Sequence, residues 1–231
     1  MNVSIIIPVY HEEKNIEKII KKISQNVKTH YEVIVVYDTK KDPTYEVLQK
    51  VAKKNKHVRP VLNNFENGRG VINAIKSGIK SARGKGIVIT MADLSDDTSQ
   101  IDTMFDLLTK GYDIIAASRY MPGGEKIGGP FFKTFLSKFA GVTLHYIFRI
   151  PTHDATNAFK MYNKVIFKNI KIESTGGFEY SLEITLKAFR KGYKIIEIPT
   201  IWHDRESGKS NFKLLFWLPK YLKTYFLILK K

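Results

Sequence analysis

Three oxygen-bearing side chains follow a short apolar run near the middle of the chain. Asp93, Ser95 and Asp96 come directly after the β-branched stretch 87–89, with no Lys or Arg among them. Carboxylate and hydroxyl oxygens suit Mg²⁺ or Mn²⁺, especially when the phosphates of a bound molecule complete the coordination. The pattern predicts a divalent metal site at the end of a buried strand. Helix capping by residues 95–97 is the alternative, since Ser and Asp are favoured there.

Two further positions could bind phosphate groups. Arg119 follows a predicted strand over 112–117 and precedes the Gly-rich stretch 121–124, where a guanidinium could grip phosphate with two hydrogen bonds. A solvated surface arginine is the alternative there. Gly70 closes the turn Gly68-Arg69-Gly70 before a predicted helix, and backbone amides at a helix start favour anions. Glycine in a loop is nevertheless more often only a turn former.

The elements that must position these residues alternate along the chain. Strands are predicted over 3–9, 31–37, 58–62, 87–89, 112–117 and 194–199, and amphipathic helices fall between them. This alternation predicts an α/β fold with a doubly wound, mostly parallel central sheet flanked by helices. Ligands bind at the carboxyl ends of the strands in such sheets, which is where Asp93 and Arg119 stand.

Two segments are rich in aromatic and basic residues. Residues 131–150 have Phe, Leu, Tyr and Ile at helical spacing, which suits a helix lying on a membrane, with core packing as the alternative. Residues 212–231 predict a C-terminal amphipathic interfacial helix, or a helix docked on the chain's own core. We therefore divide the chain into one large α/β domain over 1–211 and a C-terminal helix over 212–231.

The composition narrows the classes of partner. The chain has 38 Lys and Arg against 22 Asp and Glu, a formal net charge of +16, and no cysteine. This excess favours polyanionic partners, such as phosphorylated substrates and an anionic membrane surface. No stacking platform or recognition helix is evident, so we expect no nucleic-acid partner. Without a signal peptide or about 18 uninterrupted apolar residues, we expect a cytoplasmic protein, peripheral on the cytoplasmic face of the membrane.

Several short segments, taken in order, resemble one family. They are Ile7-Pro8-Val9-Tyr10-His11-Glu12, Val36-Tyr37-Asp38, Asp42-Pro43-Thr44, Met91-Ala92-Asp93-Leu94-Ser95, Asp113 to Gly124, Asp154 to Lys160 and Asp204 to Asn211. In this order they resemble family 2 glycosyltransferases of the nucleotide-sugar-binding A-type fold. The likeness is greatest to the dolichyl (polyprenyl) phosphate mannosyltransferase branch.

The resemblance implies a reaction and a set of site residues. A sugar, mannose or glucose, would move with inversion from a GDP- or UDP-linked donor to a polyprenyl or dolichyl phosphate, with Mg²⁺ or Mn²⁺ bound. With the turn at Gly70 included, the expected nucleotide-binding residues are Pro8, Tyr10, Glu12, Asp38, Asp42, Gly70 and Asp93. The expected metal ligands are Asp93, Ser95 and Asp96, and the expected catalytic residues are Asp93, Arg119, Asp154 and Arg205. We expect Ser118, Arg119, Lys209 and Ser210 at the acceptor phosphate.

The chain also departs from the family pattern. Met91 stands where the metal motif has its first Asp, Tyr37 where Asp is frequent, and Asn211 where the family has Lys. Two alternatives therefore stay open. One is a family 2 enzyme that uses a soluble glycan hydroxyl, with Asp154 as the general base. The other is a catalytically silent binding or accessory protein. A membrane-embedded partner subunit is compatible with each of these readings.

Overall fold

Strands and helices alternate along the chain as predicted. A computed structural model describes residues 1–64, 68–204 and 214–229, with side chains described from 218 onward in the last range. The strands are β1 (Val3–Val9), β2 (Tyr31–Tyr37), β3 (Val58–Leu62), β4 (Gly86–Ile89), β5 (Ile114–Ser118), β6 (Glu125–Ile127), β7 (Lys160–Asn163), β8 (Ile195–Pro199) and β9 (Ile201–His203). The helices are α1 (Ile16–Asn26), α2 (Pro43–Lys54), α3 (Val71–Ser81), α4 (Ile101–Thr109), α5 (Phe131–Phe148), α6 (Ile166–Asn169), α7 (Tyr180–Arg190) and α8 (Leu214–Tyr225).

Seven strands form the central sheet, in the order β3-β2-β1-β4-β7-β5-β8. Every strand pair is parallel except those that β7 makes with β4 and β5. The predicted α/β fold with a mostly parallel sheet is thereby confirmed. The strand β7 was not predicted, and it brings Lys160 between Ile89 and Ala116 at the edge where the parallel strands end. A separate two-stranded ribbon pairs β6 with β9.

Alternating residues of the central strands feed two cores, one on each face of the sheet. In β1, Ile5 and Ile7 pack with α1 on one face, and Ile6 packs with Ala74 and Ile75 of α3 on the other. Burial on both faces explains why these strands read as continuous apolar runs in the sequence. The sheet is therefore a rigid platform whose carboxyl edge carries the polar loops.

The aromatic stripe of α5 lies largely on the outside of the molecule. Only Gly141 and Leu144 of this helix are buried, whereas Phe131 is 83% exposed and Tyr146 is 70% exposed. The alternative that the stripe packs into the core is therefore wrong for most of it. Gly141 is the point of close approach, because a Cβ there would lie 2.0 Å from the carbonyl oxygen of His153.

The C-terminal helix packs on the domain by one face. Tyr221 and Tyr225 of α8 contact the buried cluster that contains Leu144, while Leu222 is exposed. The 3₁₀ helix Phe226–Leu229 that follows has an exposed aromatic side chain at its start. The C-terminal segment thus packs on the domain by one face and exposes apolar side chains on another. The predicted boundary at 211/212 lies outside the described residues. Among the described helices, none combines the length and the apolar character needed to cross a membrane.

Candidate active site

The carboxyl edge of the sheet gathers most of the predicted nucleotide-binding residues. Pro8 lies in β1, Tyr10 and Glu12 follow it, and Asp38 follows the neighbouring strand β2. Tyr10 is exposed, so its ring is available to a ligand. The fold brings these residues to one edge of the sheet because the parallel strands β1 and β2 end there. Their contact with a nucleotide stays a prediction.

Asp38 ties this edge to the start of α3. Its carboxylate accepts a hydrogen bond from Asn63 Nδ2 (2.7 Å) and another from the Gly70 amide (3.0 Å). Gly70 has φ +111°, a conformation that favours glycine. The amide predicted to help cradle phosphate is therefore bonded to Asp38, and Gly70 serves the turn in this structure.

Asp42 holds the loop after β1 rather than facing open space. It is buried at the start of α2 and accepts hydrogen bonds from the amides of Thr44 (2.8 Å) and His11 (3.0 Å). Burial opposes its charge, but these donors outweigh that effect and lower the pKa of Asp42. Ligand atoms of His11, Glu13 and Asp42 also lie within 4.8 Å of one another, a cluster that the sequence analysis did not identify.

The predicted metal ligands lie together after β4. Asp96 is buried and accepts a hydrogen bond from Thr90 Oγ1 (2.8 Å). Burial and the nearby charge of Asp93 raise the pKa of Asp96 to about 6. Ser95 is also buried, and its Oγ has no hydrogen-bond partner in the part of the chain that the structure describes. Two adjacent carboxylates and an unsatisfied hydroxyl are a donor set that fits Mg²⁺ or Mn²⁺.

The backbone of this segment is held in an uncommon conformation. Leu94 has φ +66°, and the Ser95 amide donates to Asp93 Oδ1 (3.2 Å). Lys22 Nζ donates to the carbonyls of Leu94 (3.3 Å) and Asp96 (3.0 Å). Asp97 caps the 3₁₀ helix Thr98–Gln100, because its Oδ1 accepts a hydrogen bond from the Ser99 amide (3.1 Å). Of residues 95–97 in the capping alternative, Asp97 makes the cap, whereas Asp96 bonds to Thr90 and Ser95 Oγ has no partner among the described residues.

Arg119 and Asp154 form a largely buried ion pair. Arg119 Nε lies 2.6 Å from Asp154 Oδ2, and Nη2 lies 2.9 Å from Oδ1. Burial opposes the charge of the guanidinium, but the Asp154 carboxylate outweighs that effect and raises the pKa of Arg119. The arginine is therefore not a solvated surface residue. The guanidinium also lies 5.1 Å from the ring centroid of Tyr120 and 6.0 Å from that of Trp202.

Ser118 supports the turn that presents this arginine. Its side chain is fully buried, and Oγ accepts a hydrogen bond from the Met121 amide (3.2 Å). Gly124 closes the turn where a Cβ would lie 2.3 Å from the Ser118 carbonyl oxygen. The geometry favours this supporting role over the predicted phosphate contact. The predicted site residues Arg205, Lys209 and Ser210 lie outside the described residues.

A cavity of about 750 Å³ joins these groups to an apolar channel. Its polar end contains Asp93, Asp96 and Arg119, and its apolar walls come from α5 and the C-terminal helix. The apolar lining includes Leu136, Phe139, Ala140, Leu218, Tyr221, Leu222, Tyr225 and Phe226. One cavity is therefore lined both by charged side chains and by apolar side chains.

Three further residues of the polar end were missed by the sequence analysis. Lys126, Lys133 and Trp202 line the cavity beside Arg119. Lys126 Nζ donates to Thr134 Oγ1 (2.7 Å) and lies 5.1 Å from the Trp202 ring centroid. Burial, with the charge of Arg119 acting against the ammonium, lowers the pKa of Lys126. Lys126 and Trp202 belong to β6 and β9, three-residue strands too short to give a periodic signal.

Comparison with known proteins shows which family the chain belongs to. The family model for glycosyl transferase family 2 matches residues 4–171. The chain is 30% identical over 218 residues to a dolichol-phosphate mannosyltransferase of Pyrococcus furiosus, covering 92% of this chain and 60% of that relative. It is 24% identical over 212 residues to a polyprenol monophosphomannose synthase of Mycolicibacterium smegmatis, covering 89% of this chain and 79% of that relative.

Solved structures share the fold. Glucosyl-3-phosphoglycerate synthase from Mycobacterium tuberculosis, solved with Mn²⁺, UDP and glucosyl-3-phosphoglycerate, aligns with a TM-score of 0.74 at 15% identity. The same synthase with Mg²⁺ and UDP aligns with a TM-score of 0.71 at 14% identity, and both alignments cover 98% of this chain and 79% of that chain. The family match runs from β1 past the end of β7 and includes Asp93, Arg119 and Asp154, but not Trp202 or the C-terminal helix. This chain therefore belongs to glycosyl transferase family 2, as the order of its motifs predicted.

Proposed function

We propose that this chain is an inverting glycosyltransferase that moves a sugar, mannose or glucose, from a nucleoside diphosphate to a polyprenyl or dolichyl phosphate. The observation that carries the proposal is the cavity of about 750 Å³, in which Asp93, Asp96 and Arg119 open into an apolar channel. A lipid phosphate has the same two-part chemistry, an anionic head and a hydrocarbon tail. The names of the two curated relatives support the same acceptor class.

The chemistry asks the protein mainly to bring two anions together. A phosphate monoester has a second pKa near ~6, so the acceptor oxygen is ionised at neutral pH without a general base. That oxygen attacks the anomeric carbon, the bond from this carbon to the donor diphosphate breaks, and the nucleoside diphosphate leaves. Arg119, Lys126 and Lys133 supply positive charge to hold the acceptor phosphate in line. A divalent ion on Asp93, Ser95 and Asp96 would stabilise charge on the diphosphate.

The contacts of Asp154 favour a phosphate acceptor over a glycan hydroxyl acceptor. A hydroxyl acceptor needs a base, yet both oxygens of Asp154 are bonded to Arg119. We therefore propose that Asp154 orients the arginine. A soluble glycan acceptor and a catalytically silent protein become outcomes of the test below. The donor nucleotide, GDP or UDP, is decided by the same test.

The experiment is sugar transfer from a panel of radiolabelled GDP- and UDP-sugars. We expect a lipid-soluble product with one donor when polyprenyl phosphate is supplied, and loss of that product when EDTA removes divalent ions. A product only with soluble glycans would replace the proposed acceptor. Nucleotide binding without any product would indicate a silent protein or a missing membrane-embedded partner, which adding membrane extract separates.

We further propose that the exposed face of α5 binds the cytoplasmic surface of an anionic membrane. Phe131 and Phe135 are exposed on the helix that also carries the exposed Lys138, and the chain carries a net charge of +16. Apolar rings would enter the interface while the Lys138 ammonium meets anionic headgroups. A lipid acceptor bound in the cavity would then reach the protein from the bilayer itself.

Cosedimentation with phosphatidylglycerol-containing vesicles measures this association. Phe131→Ser combined with Phe135→Ser should weaken binding at least about tenfold, since each buried Phe contributes about 1.5–3 kcal/mol. Neither residue lines the cavity, so transfer to a detergent-solubilised acceptor should persist. The matched control is Val165→Ser, an exposed apolar residue at the start of α6. Equal vesicle binding by all variants would contradict the proposal that α5 binds the membrane.

A further inference from the structure

Lys160 is a fully buried lysine at the first position of β7, between the ends of β4 and β5. Its Nζ donates to the carbonyls of Ala155 (3.0 Å) and Asn157 and to Ser181 Oγ (2.6 Å). All three acceptors are uncharged. The ammonium therefore lies among neutral oxygens that belong to the 154–159 loop and α7.

Burying a charged ammonium costs free energy, and some interaction of that ammonium must offset the cost. Burial lowers the pKa of Lys160 to about 7, with the charge of Asp154 opposing the shift and that of Arg119 adding to it. The carboxylate of Asp154 is already bonded to Arg119 through both oxygens. A neutral apolar side chain would avoid the desolvation of a charge. The benefit of the ammonium must come from the carbonyls that it draws together.

Those two carbonyls determine the direction of two amides. Among the residues that the structure describes no peptide bond is cis, and in a trans peptide the N–H points opposite to the C=O of the same unit. Because the carbonyls of Ala155 and Asn157 face Lys160, the amides of Thr156 and Ala158 face away from it. Both Thr156 and Ala158 line the cavity. Neither amide has a hydrogen-bond partner within residues 1–64, 68–204 and 214–229.

The rest of the loop is fixed from the other side. Asp154 Oδ1 accepts from the Asn157 amide (3.2 Å), and Asn157 Nδ2 donates to the Ala117 carbonyl (2.8 Å). Ser181 Oγ also donates to the Asn157 carbonyl. The loop is thus held at Asp154, at the end of β5 and at Lys160, while the amides of Thr156 and Ala158 keep their hydrogen-bonding capacity.

We propose that Lys160 is a positioning residue that holds the 154–159 loop so that the amides of Thr156 and Ala158 donate to the anionic acceptor beside Arg119. This inference rests on the proposed function for the identity of the acceptor. It adds two backbone donors and their support to the side chains already described. Lys160 itself does not touch the reacting atoms.

Amide hydrogen exchange tests the loop without requiring turnover. We expect farnesyl phosphate, used as a short polyprenyl phosphate, to slow exchange in a peptide covering 154–159 in the unaltered chain. In Lys160→Met this protection should be lost, whereas in Lys160→Arg, which keeps the charge, most of it should remain. Should Lys160→Met fail to fold, Ser181→Ala removes one of the three ammonium partners and should weaken the protection partially.

Kinetics provide the second readout. We expect Lys160→Met to raise the acceptor KM about tenfold, because the charge-assisted hydrogen bonds of the ammonium are lost. The donor KM should change less than about twofold. The control is Lys164→Met, at the other end of β7, where Nζ donates to the Ala82 carbonyl (2.6 Å) away from the cavity. It should lower the unfolding midpoint without changing the acceptor KM.

The outcomes separate this inference from the proposed function. Protection of 154–159 by farnesyl phosphate without sugar transfer would overturn the function and keep the inference. Transfer without that protection would overturn the inference and keep the function. Lys160→Met with normal protection and an unchanged acceptor KM would reduce Lys160 to a structural role and also overturn the inference.

Discussion

Asp93→Asn is expected to lower kcat for sugar transfer by about 10²–10³ while leaving the fold intact, the range typical for removing one preorganised electrostatic group. The motif has lost one carboxylate already, since Met91 occupies the position of the first Asp. Asp93 therefore supplies a larger share of the carboxylate charge at the proposed metal site than it would if residue 91 were Asp. Asn has nearly the same volume, and its Oδ1 can still accept from the Ser95 amide.

The measurement is steady-state transfer together with Mn²⁺ titration by electron paramagnetic resonance. Asp93→Asn should weaken Mn²⁺ binding as well as transfer. Asp97→Asn is the matched control, because Asp97 caps the 3₁₀ helix Thr98–Gln100 instead of meeting the cavity. It should leave stability nearly unchanged, because Asn caps a helix about as well as Asp, and it should retain transfer. Full activity of Asp93→Asn would remove the proposed metal role.

Arg119→Met should have the largest effect on stability. It leaves the fully buried Asp154 carboxylate without its partner, and breaking a buried ion pair from one side typically costs about 3–5 kcal/mol. The double variant Arg119→Met with Asp154→Asn removes both charges and should recover at least half of that loss. Urea unfolding of the single and double variants gives the coupling between the two residues.

Activity should follow a different order from stability. Both the single and the double variant should lose transfer, because each lacks the guanidinium at the acceptor phosphate. Arg119→Lys keeps the charge but not the two-pronged hydrogen bonding, so we expect intermediate stability and poor transfer. Equal destabilisation of the single and double variants would contradict the buried-pair argument. Recovery of transfer in the double variant would show that Arg119 serves only to neutralise Asp154.

The first three strands could be predicted to the residue. Val3–Val9, Tyr31–Tyr37 and Val58–Leu62 are rich in apolar residues, and both ends of each agree with the structure. Lys160–Asn163 gave no such signal, because it has four residues and is ordered by partners far away in the chain. The sequence pattern of a segment predicts a strand whose own residues are mostly apolar. It misses a strand such as β7, which is fixed by pairing with strands far away in the chain.

The site was predictable in its acidic and basic centres but not in the direction of each side chain. The sequence placed Asp93 and Arg119 at strand ends, and the structure brings both to one cavity. It could not distinguish a polar side chain that faces a ligand from one that holds a turn, as Ser118 and Asp42 do. That distinction depends on which backbone amides lie nearby, and these come from other segments.

The antiparallel strand β7 also has a consequence for how the chain folds. The order β3-β2-β1-β4 can assemble from the first 89 residues, but β5 has no neighbour in the sheet until β7 and β8 are available. During synthesis from the N-terminus, the open side of β4 waits for a strand that begins 71 residues after its own end, at Lys160. Contacts of such sequence separation form slowly. Nascent chains in which β4 is complete at Ile89 but β7 is not yet complete at Asn163 therefore present an unpaired strand edge, which makes this interval of synthesis the point of greatest risk of aggregation.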